Sequence, residues 1–338
     1  MNILAVESSC DETAVAIVRD GREVLTDCIA SQVAEHRIYG GVVPEIASRK
    51  HVEAISGLAD EALRKTGLSR SDIDGVAVPY APGLIGAVLV GVNFAKAAAM
   101  ALNKPLIPVH HIRGHIAANY LAFPELKPPF LCQVVSGGHT MIIEVTDYTQ
   151  MRILGTTLDD AAGECFDKVG RVLGMPYPGG AALDKAAQSG DPARYPMPRP
   201  KPGANPYDMS FSGLKTAALN TIHHAQQLGE EIDISGLCAS FCAAVSDTLV
   251  PRVVMALKET GHKTLAVAGG VAANSVIRRD ILAAAEKLGV EVCLPPLSLC
   301  GDNAAMIGAQ GYYEYLAGNI ADMDLNAYAT KSILGETL

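Results

Sequence analysis

A pattern of elements that occurs twice constrains this chain more than any other feature. Residues 2–7 (NILAVE) read as a short apolar strand running into the polar turn Ser8-Ser9-Cys10-Asp11-Glu12-Thr13. Residues 14–18 and 23–29 read as the next two strands, joined at Asp20-Gly21, a dipeptide suited to a hairpin turn. A helix is expected from Pro44, with Ala47, His51, Ile55, Leu58 and Ala62 on its apolar face. A strand over 75–79, the loop Tyr80-Ala81-Pro82-Gly83, a Gly- and Ala-rich helix over 84–102 and an apolar run over 106–109 follow.

About 128 residues after the first polar turn, the order starts again. A strand over 129–135 runs into Ser136-Gly137-Gly138-His139-Thr140, followed by strands over 141–145 and 151–156 and then helices. A strand over 264–268 leads into Gly269-Gly270-Val271-Ala272-Ala273-Asn274, then a helix over 275–288, a strand over 290–294 and a last helix from Asp302. The expectation is an α/β protein of two related lobes: 1–112 plus about 304–330, and 113–303 with an insert near 189–212. That insert, rich in Pro, Gly and Arg, is too long for an ordinary connection and reads as a substrate-contacting loop.

In α/β sheets, ligands sit at loops that follow the carboxyl ends of strands. Ser136-Gly137-Gly138 offers backbone N–H groups without side chains in the way, which suits phosphate oxygens. Gly269-Gly270, before a helix beginning near Asn274, adds a flat approach surface and a helix amino terminus. Each pair is also compatible with an ordinary tight turn, but three such loops at repeated positions, 8–13, 136–140 and 269–274, favour a nucleotide. No GxxxxGK[ST] occurs, so this is not a P-loop protein.

Between the lobes lies PVHHIRGHIAAN, which puts His111 and His115 four residues apart on one helix face, where two imidazoles can close on one divalent metal. His110, at i, i+5 from His115, points elsewhere. A third ligand should be a carboxylate from a distant element. Asp302 is the choice, although a plain N-cap role for it is open. The histidines lack the glutamate of HExxH, which argues against a helix-borne zinc protease.

A net charge of −9 argues against a broad basic nucleic-acid surface. Any such contact must use a local patch, Arg49/Lys50 or Arg194, Arg199 and Lys201 of the insert, or a partner. Eight scattered cysteines without a CxxC read as reduced, mostly buried thiols. The amino terminus reads directly as a strand, with no signal peptide expected, and the best apolar run, 84–102, is broken by Asn93 and Lys96.

VESSCDETAVAI, GGVVPEIASRKH, HHIRGH, VVSGGHT, AAGECFDKVGRVLG, YPGG, MSFSG, AGGVAAN and CGDNAAM stand in the order and spacing of one known family. In these motifs the chain closely resembles the universal tRNA N6-adenosine threonylcarbamoyltransferases, once called O-sialoglycoprotein endopeptidases. The resemblance implies the duplicated actin/Hsp70/sugar-kinase fold with a central nucleotide cleft. It also implies transfer of a threonylcarbamoyl group from threonylcarbamoyl-adenylate to N6 of adenosine-37 in tRNAs reading codons that begin with adenine. His111, His115 and Asp302 match the family's ligands for one divalent metal, Fe2+ or Zn2+. Val134, Val135, Ser136, Gly137, Gly138, Asp167, Gly180, Asp184 and Asn274 match positions that contact the adenylate. Asp11 and Glu12 match an acidic pair near the transfer centre and are the candidate catalytic groups. The implied partners are tRNA, an inactive paralogous subunit and a P-loop ATPase, in the cytoplasm and away from membranes. On this reading His111→Ala loses metal and activity while staying folded. The rival on the same fold is an ATP-dependent kinase or ATPase.

Overall fold

In the computed structural model, which describes residues 1–200 and 203–334, each repeat forms a five-stranded mixed sheet. In the first, β1 (Asn2–Glu7) pairs antiparallel with β2 (Glu12–Arg19), and β2 with β3 (Glu23–Ser31). On its other side β1 runs parallel to β4 (Gly75–Ala81), and β4 to β5 (Leu106–His110). Helices α1 (Val33–Arg37), α2 (Pro44–Thr66), α3 (Ile85–Leu102) and α4 (His111–Ala122) connect and cover these strands. The second sheet holds β6 (Phe130–Val135), β7 (Thr140–Asp147), β8 (Gln150–Thr156), β9 (Thr264–Ala268) and β10 (Glu291–Cys293). Its order, β10-β9-β6-β7-β8, read backwards, repeats β3-β2-β1-β4-β5. Its helices are α5 (Ala162–Val172), α6 (Gly179–Ala187), α7 (Ser212–Leu228), α8 (Ile234–Thr260) and α9 (Ser275–Leu288). The last helix, α10 (Ala304–Leu316), returns to the first sheet.

Strands β1, β2, β4 and β5 are buried on both faces of the first sheet, which is why they read as near-continuous apolar runs. Ile3, Ala5, Val18, Ala77 and Val109 face α10. Leu4, Val6, Val15, Ile17, Val76 and Val78 share the opposite core with α2 and α3. α10 lies close against the strands because Gly308 faces Val18: a Cβ there would come within 2.7 Å of Val18 Cγ2.

The chain divides into two compact units, Met1–Pro128 with Val145–Met151 and the segment from Pro295 onward, and Pro129–Glu144 with Arg152–Leu294. The boundary therefore falls after Pro128 rather than after residue 112, and the return to the first unit comes at Pro295 rather than at 304. The reason is packing. α4 lies along α10, with Ile112, Ile116 and Ala117 fully buried, so it cannot be parted from the first unit. The helix α1 was not anticipated from sequence; at five residues it is too short for periodicity to show.

Two helices, α3 and α8, are long and apolar enough to cross a membrane by length and composition. For α8 the apolarity serves a core, since 72% of its apolar window is buried inside the protein, including Cys238 and Cys242.

Asp27 of β3 accepts hydrogen bonds from the backbone of Ala304 and Ala305, at the start of α10. Burial outweighs those bonds and pushes its carboxyl up from 3.8 to about 6. The folded chain therefore holds this proton more tightly than the unfolded chain, and the contribution of Asp27 to stability falls as pH rises from about 4 to about 6. Asp27→Asn keeps an acceptor for the helix. It is expected to gain stability over the native chain across that window, by up to about 3 kcal/mol at pH 7, measured by urea unfolding at pH 4 and pH 7.

Candidate metal centre and nucleotide loops

β5 ends at His110 and α4 begins at His111, so the helix carries its first and fifth side chains, His111 and His115, on one face. The turn before α10 brings Asp302 to them. Its Oδ1 lies 3.5 Å from His111 Nε2 and 3.2 Å from His115 Nε2. One donor atom from each of the three residues lies within 4.8 Å of the others. The N-cap alternative for Asp302 is taken by its neighbour: Asn303 Oδ1 accepts the Met306 N–H at 2.9 Å, and the helix starts at Ala304 rather than Asp302. His110 turns away, its Nε2 donating to the Lys331 carbonyl at 3.1 Å.

Four carboxylates converge on this centre in the first unit. Glu7 Oε2 accepts from His111 Nδ1 at 3.0 Å, and Asp302 faces both imidazoles. Asp11 and Glu12 follow β1, and Glu12 interacts with both Asp11 and Asp302. Burial works against a charged His111, but Glu7 and Asp302 outweigh it and push the imidazole well above its ordinary value. Burial alone would raise Asp302. The charge of His111 and hydrogen bonds from both imidazoles instead hold it well below the usual carboxylate range. Glu12 is pushed up to about 9, by burial first and then by Asp11 and Asp302. The four carboxylates thus outnumber the two imidazoles at this centre. Two imidazoles and a carboxylate are donors suited to Zn2+ or Fe2+, and a dication supplies the missing positive charge, so the residues fit such an ion.

The acidic turn is held from below. His51 of α2, read from sequence as part of an apolar face, is fully buried; its Nε2 donates to the Cys10 carbonyl at 3.0 Å and its Nδ1 lies 2.8 Å from Thr13 Oγ1. Burial lowers its pKa, which agrees with a neutral ring in these contacts. Sequence reasoning missed both His51 and Glu7 as site residues. The available signal for Glu7 was a carboxylate as the last residue of an otherwise apolar strand.

In the second unit, one chain of contacts joins the remaining candidates. Val134 and Val135 end β6, and Ser136 N donates to the His139 carbonyl at 2.7 Å to close the next turn. A side chain at Gly137 or Gly138 would meet open space, so their backbone is accessible. Glu164 N of α5 donates to the Gly137 carbonyl at 3.0 Å. Asp167, on the same helix, accepts the Gly179 N–H at 2.8 Å, next to Gly180 at the start of α6. Asp184 of α6 accepts from Ser275 Oγ at 2.7 Å. Asn274 Oδ1 caps α9 by accepting from Val276 and Ile277. Gly269 turns with φ +92°, and a Cβ there would lie 2.5 Å from the Val135 carbonyl oxygen. Asp167, Asp184 and Asn274 therefore each perform a structural task at this loop cluster.

The insert is anchored rather than loose. The Arg252 guanidinium, almost fully buried, donates to the carbonyls of Pro200, Asp208 and Thr248. Arg199 is paired with Asp247 at 2.8 Å, which offsets its charge. Lys201, the other residue of that basic cluster, lies outside the described residues.

The model of the family described as tRNA N6-adenosine threonylcarbamoyltransferase matches residues 23–309 of this chain. The chain is 55% identical to the protein of that name from Moorella thermoacetica over 326 residues, 96% of this chain and 95% of that protein. It is 50% identical to the one from Clostridium botulinum strain 657, over 97% of this chain and 96% of that protein. Among solved structures it resembles HypF of T. kodakarensis, with a TM-score of 0.64 at 16% identity, covering 96% of this chain and 49% of that one. It also resembles component A of the (R)-2-hydroxyglutaryl-CoA dehydratase of Acidaminococcus fermentans, with a TM-score of 0.54 at 13% identity, covering 94% of this chain and 99% of that one. At such identities the likeness is one of fold, and the fold is the duplicated actin/Hsp70/sugar-kinase type.

Because Glu7 is fully buried against His111, removing that imidazole strands a buried carboxylate. His111→Ala is therefore expected to stay folded but to lose about 3 kcal/mol of stability. Asp302→Asn, an isosteric change, is expected to keep the fold and lose high-affinity Zn2+ uptake; both follow from thermal unfolding with and without Zn2+. Uptake by the native chain should release the proton on His111, so affinity should fall as pH is lowered, which chelator competition at several pH values measures.

Proposed function

This chain belongs to the tRNA N6-adenosine threonylcarbamoyltransferase family, and on that premise we propose its reaction. It transfers the threonylcarbamoyl group of threonylcarbamoyl-adenylate to N6 of adenosine-37 in tRNAs reading codons that begin with adenine, releasing AMP. The observation that carries this reading is the donor set His111, His115 and Asp302 in a chain that matches its relatives over nearly its whole length. A kinase of the same fold is not favoured, because kinases hold magnesium through carboxylates and phosphates rather than through paired imidazoles.

The donor's adenylate is assigned to the backbone of Val134, Val135, Ser136, Gly137 and Gly138 together with Asp167, Gly180, Asp184 and Asn274. His111, His115 and Asp302 would hold a divalent ion, Fe2+ or Zn2+, which would supply Lewis-acid charge for the oxygens that become negative during attack. An acyl-adenylate is already activated, so positioning and charge stabilisation matter more than a strong nucleophile.

Adenine N6 is a weak base, and its proton must leave as the new bond to the carbamoyl carbon forms. The acceptor is assigned to the acidic pair, Asp11 or Glu12. The tRNA contact is assigned in part to the insert, with a paralogous subunit and a P-loop ATPase as companions in the cytoplasm.

The test is incubation of the chain and its companions with threonylcarbamoyl-adenylate and unmodified tRNA, with and without chelator, followed by mass analysis of the nucleosides. Modified adenosine is expected only without chelator. Asp11→Asn or Glu12→Gln, whichever removes the acceptor, should lower the single-turnover rate about 10²- to 10⁴-fold with Zn2+ affinity retained. Rapid ATP turnover driven by a small hydroxyl compound, without nucleoside product, would favour the kinase instead.

A further inference from the structure

The hydrogen bonds around Glu7 fix where the protons of the metal centre sit. Glu7 is fully buried at the end of β1. Its Oε1 accepts the Ser9 backbone N–H at 2.5 Å, and that group can only donate. Its Oε2 lies 3.0 Å from His111 Nδ1. With the carboxylate oxygen accepting, Nδ1 carries the hydrogen in this contact. A neutral imidazole then has its lone pair on Nε2, the atom that lies 3.5 Å from Asp302 Oδ1. His115 has no such support: its buried Nδ1 has no hydrogen-bond partner among the described residues.

We infer that Glu7 is a positioning residue of the metal centre, holding His111 in the tautomer and ring orientation that present Nε2 to a divalent cation. The inference rests on the metal reading of His111, His115 and Asp302, and it assigns a role to a residue outside that ligand set. A carboxylate is required because both oxygens must accept. In Glu7→Gln, the Ser9 N–H takes the amide oxygen, which turns the amide NH2 toward His111 Nδ1. That NH2 donates, so the ring must carry its hydrogen on Nε2, where no lone pair remains for a cation. Ser9 Oγ also lies 3.1 Å from Nδ1. Ser9→Ala removes this hydroxyl and leaves the Glu7 contact intact, which makes it the control.

The experiment is Zn2+ binding by chelator competition to metal-stripped native, Glu7→Gln, Ser9→Ala and Asp302→Asn chains, with circular dichroism of each to follow the fold. Glu7→Gln is expected to bind Zn2+ about 10- to 100-fold more weakly than native, with Ser9→Ala close to native. Binding by Glu7→Gln within threefold of native would overturn the role of Glu7 while leaving the metal reading intact. A native chain that takes up no Zn2+, and none of the spectroscopic probe Co2+, would overturn both. Should Glu7→Gln fail to fold, the tautomer decides in the native chain. Long-range 1H–15N correlation of the zinc-loaded protein is expected to show His111 protonated at Nδ1, and a hydrogen at Nε2 would overturn the inference. A merely structural role for Glu7 would move stability but neither the tautomer nor the ratio of Zn2+ affinities.

Discussion

A line of charge runs through the first unit from Glu7 through the His111 ring to Asp302, and the organisation of that unit depends on it. Each member comes from a different part of the chain: the end of β1, the start of α4 and the turn before α10. Buried carboxylates at this density are costly unless positive charge sits between them. The raised proton affinity of His111 and Glu12 answers that demand. A dication can answer it instead, and the same physical demand that makes the centre costly to fold makes it selective for a cation.

Duplication explains how one backbone plan carries two chemistries. The turn after β1 and the turn after β6 are equivalent positions in sheets of equivalent order. The first is filled with carboxylates and hydroxyls, and the second with glycines. Carboxylates there suit positive charge, whereas bare backbone N–H groups suit an anion. The supports differ accordingly. His51 holds the acidic turn through the Cys10 carbonyl, and Gly269 lets the backbone come close beneath the glycine turn.

The insert shows how an irregular segment can be held in place from outside itself. The buried Arg252 guanidinium, contributed by α8 far along the chain, fixes it through the carbonyls of Pro200 and Asp208. The partner of Arg199, Asp247, likewise comes from α8. Composition reports what a segment lacks, not what another segment provides for it.

What the sequence by itself determined is local and periodic: the strands that alternate with turns, the repeat, the i, i+4 histidines and the glycine loops. β9 and α9 fall where the pattern puts them, because Thr264–Ala268 and Ser275–Leu288 are bounded by their own turn and cap residues. The family resemblance also named Asp302, which residue type alone left open between ligand and cap. Only the tertiary structure closed the cap alternative, by giving the cap to Asn303, and it turned Asp302 to the imidazoles. It alone assigned α4 to the first unit, showed His51 as a polar support and placed Glu7 behind His111. The reason is the same each time. A side chain's charge, tautomer and partner depend on neighbours that are distant in sequence, and no local period carries that information.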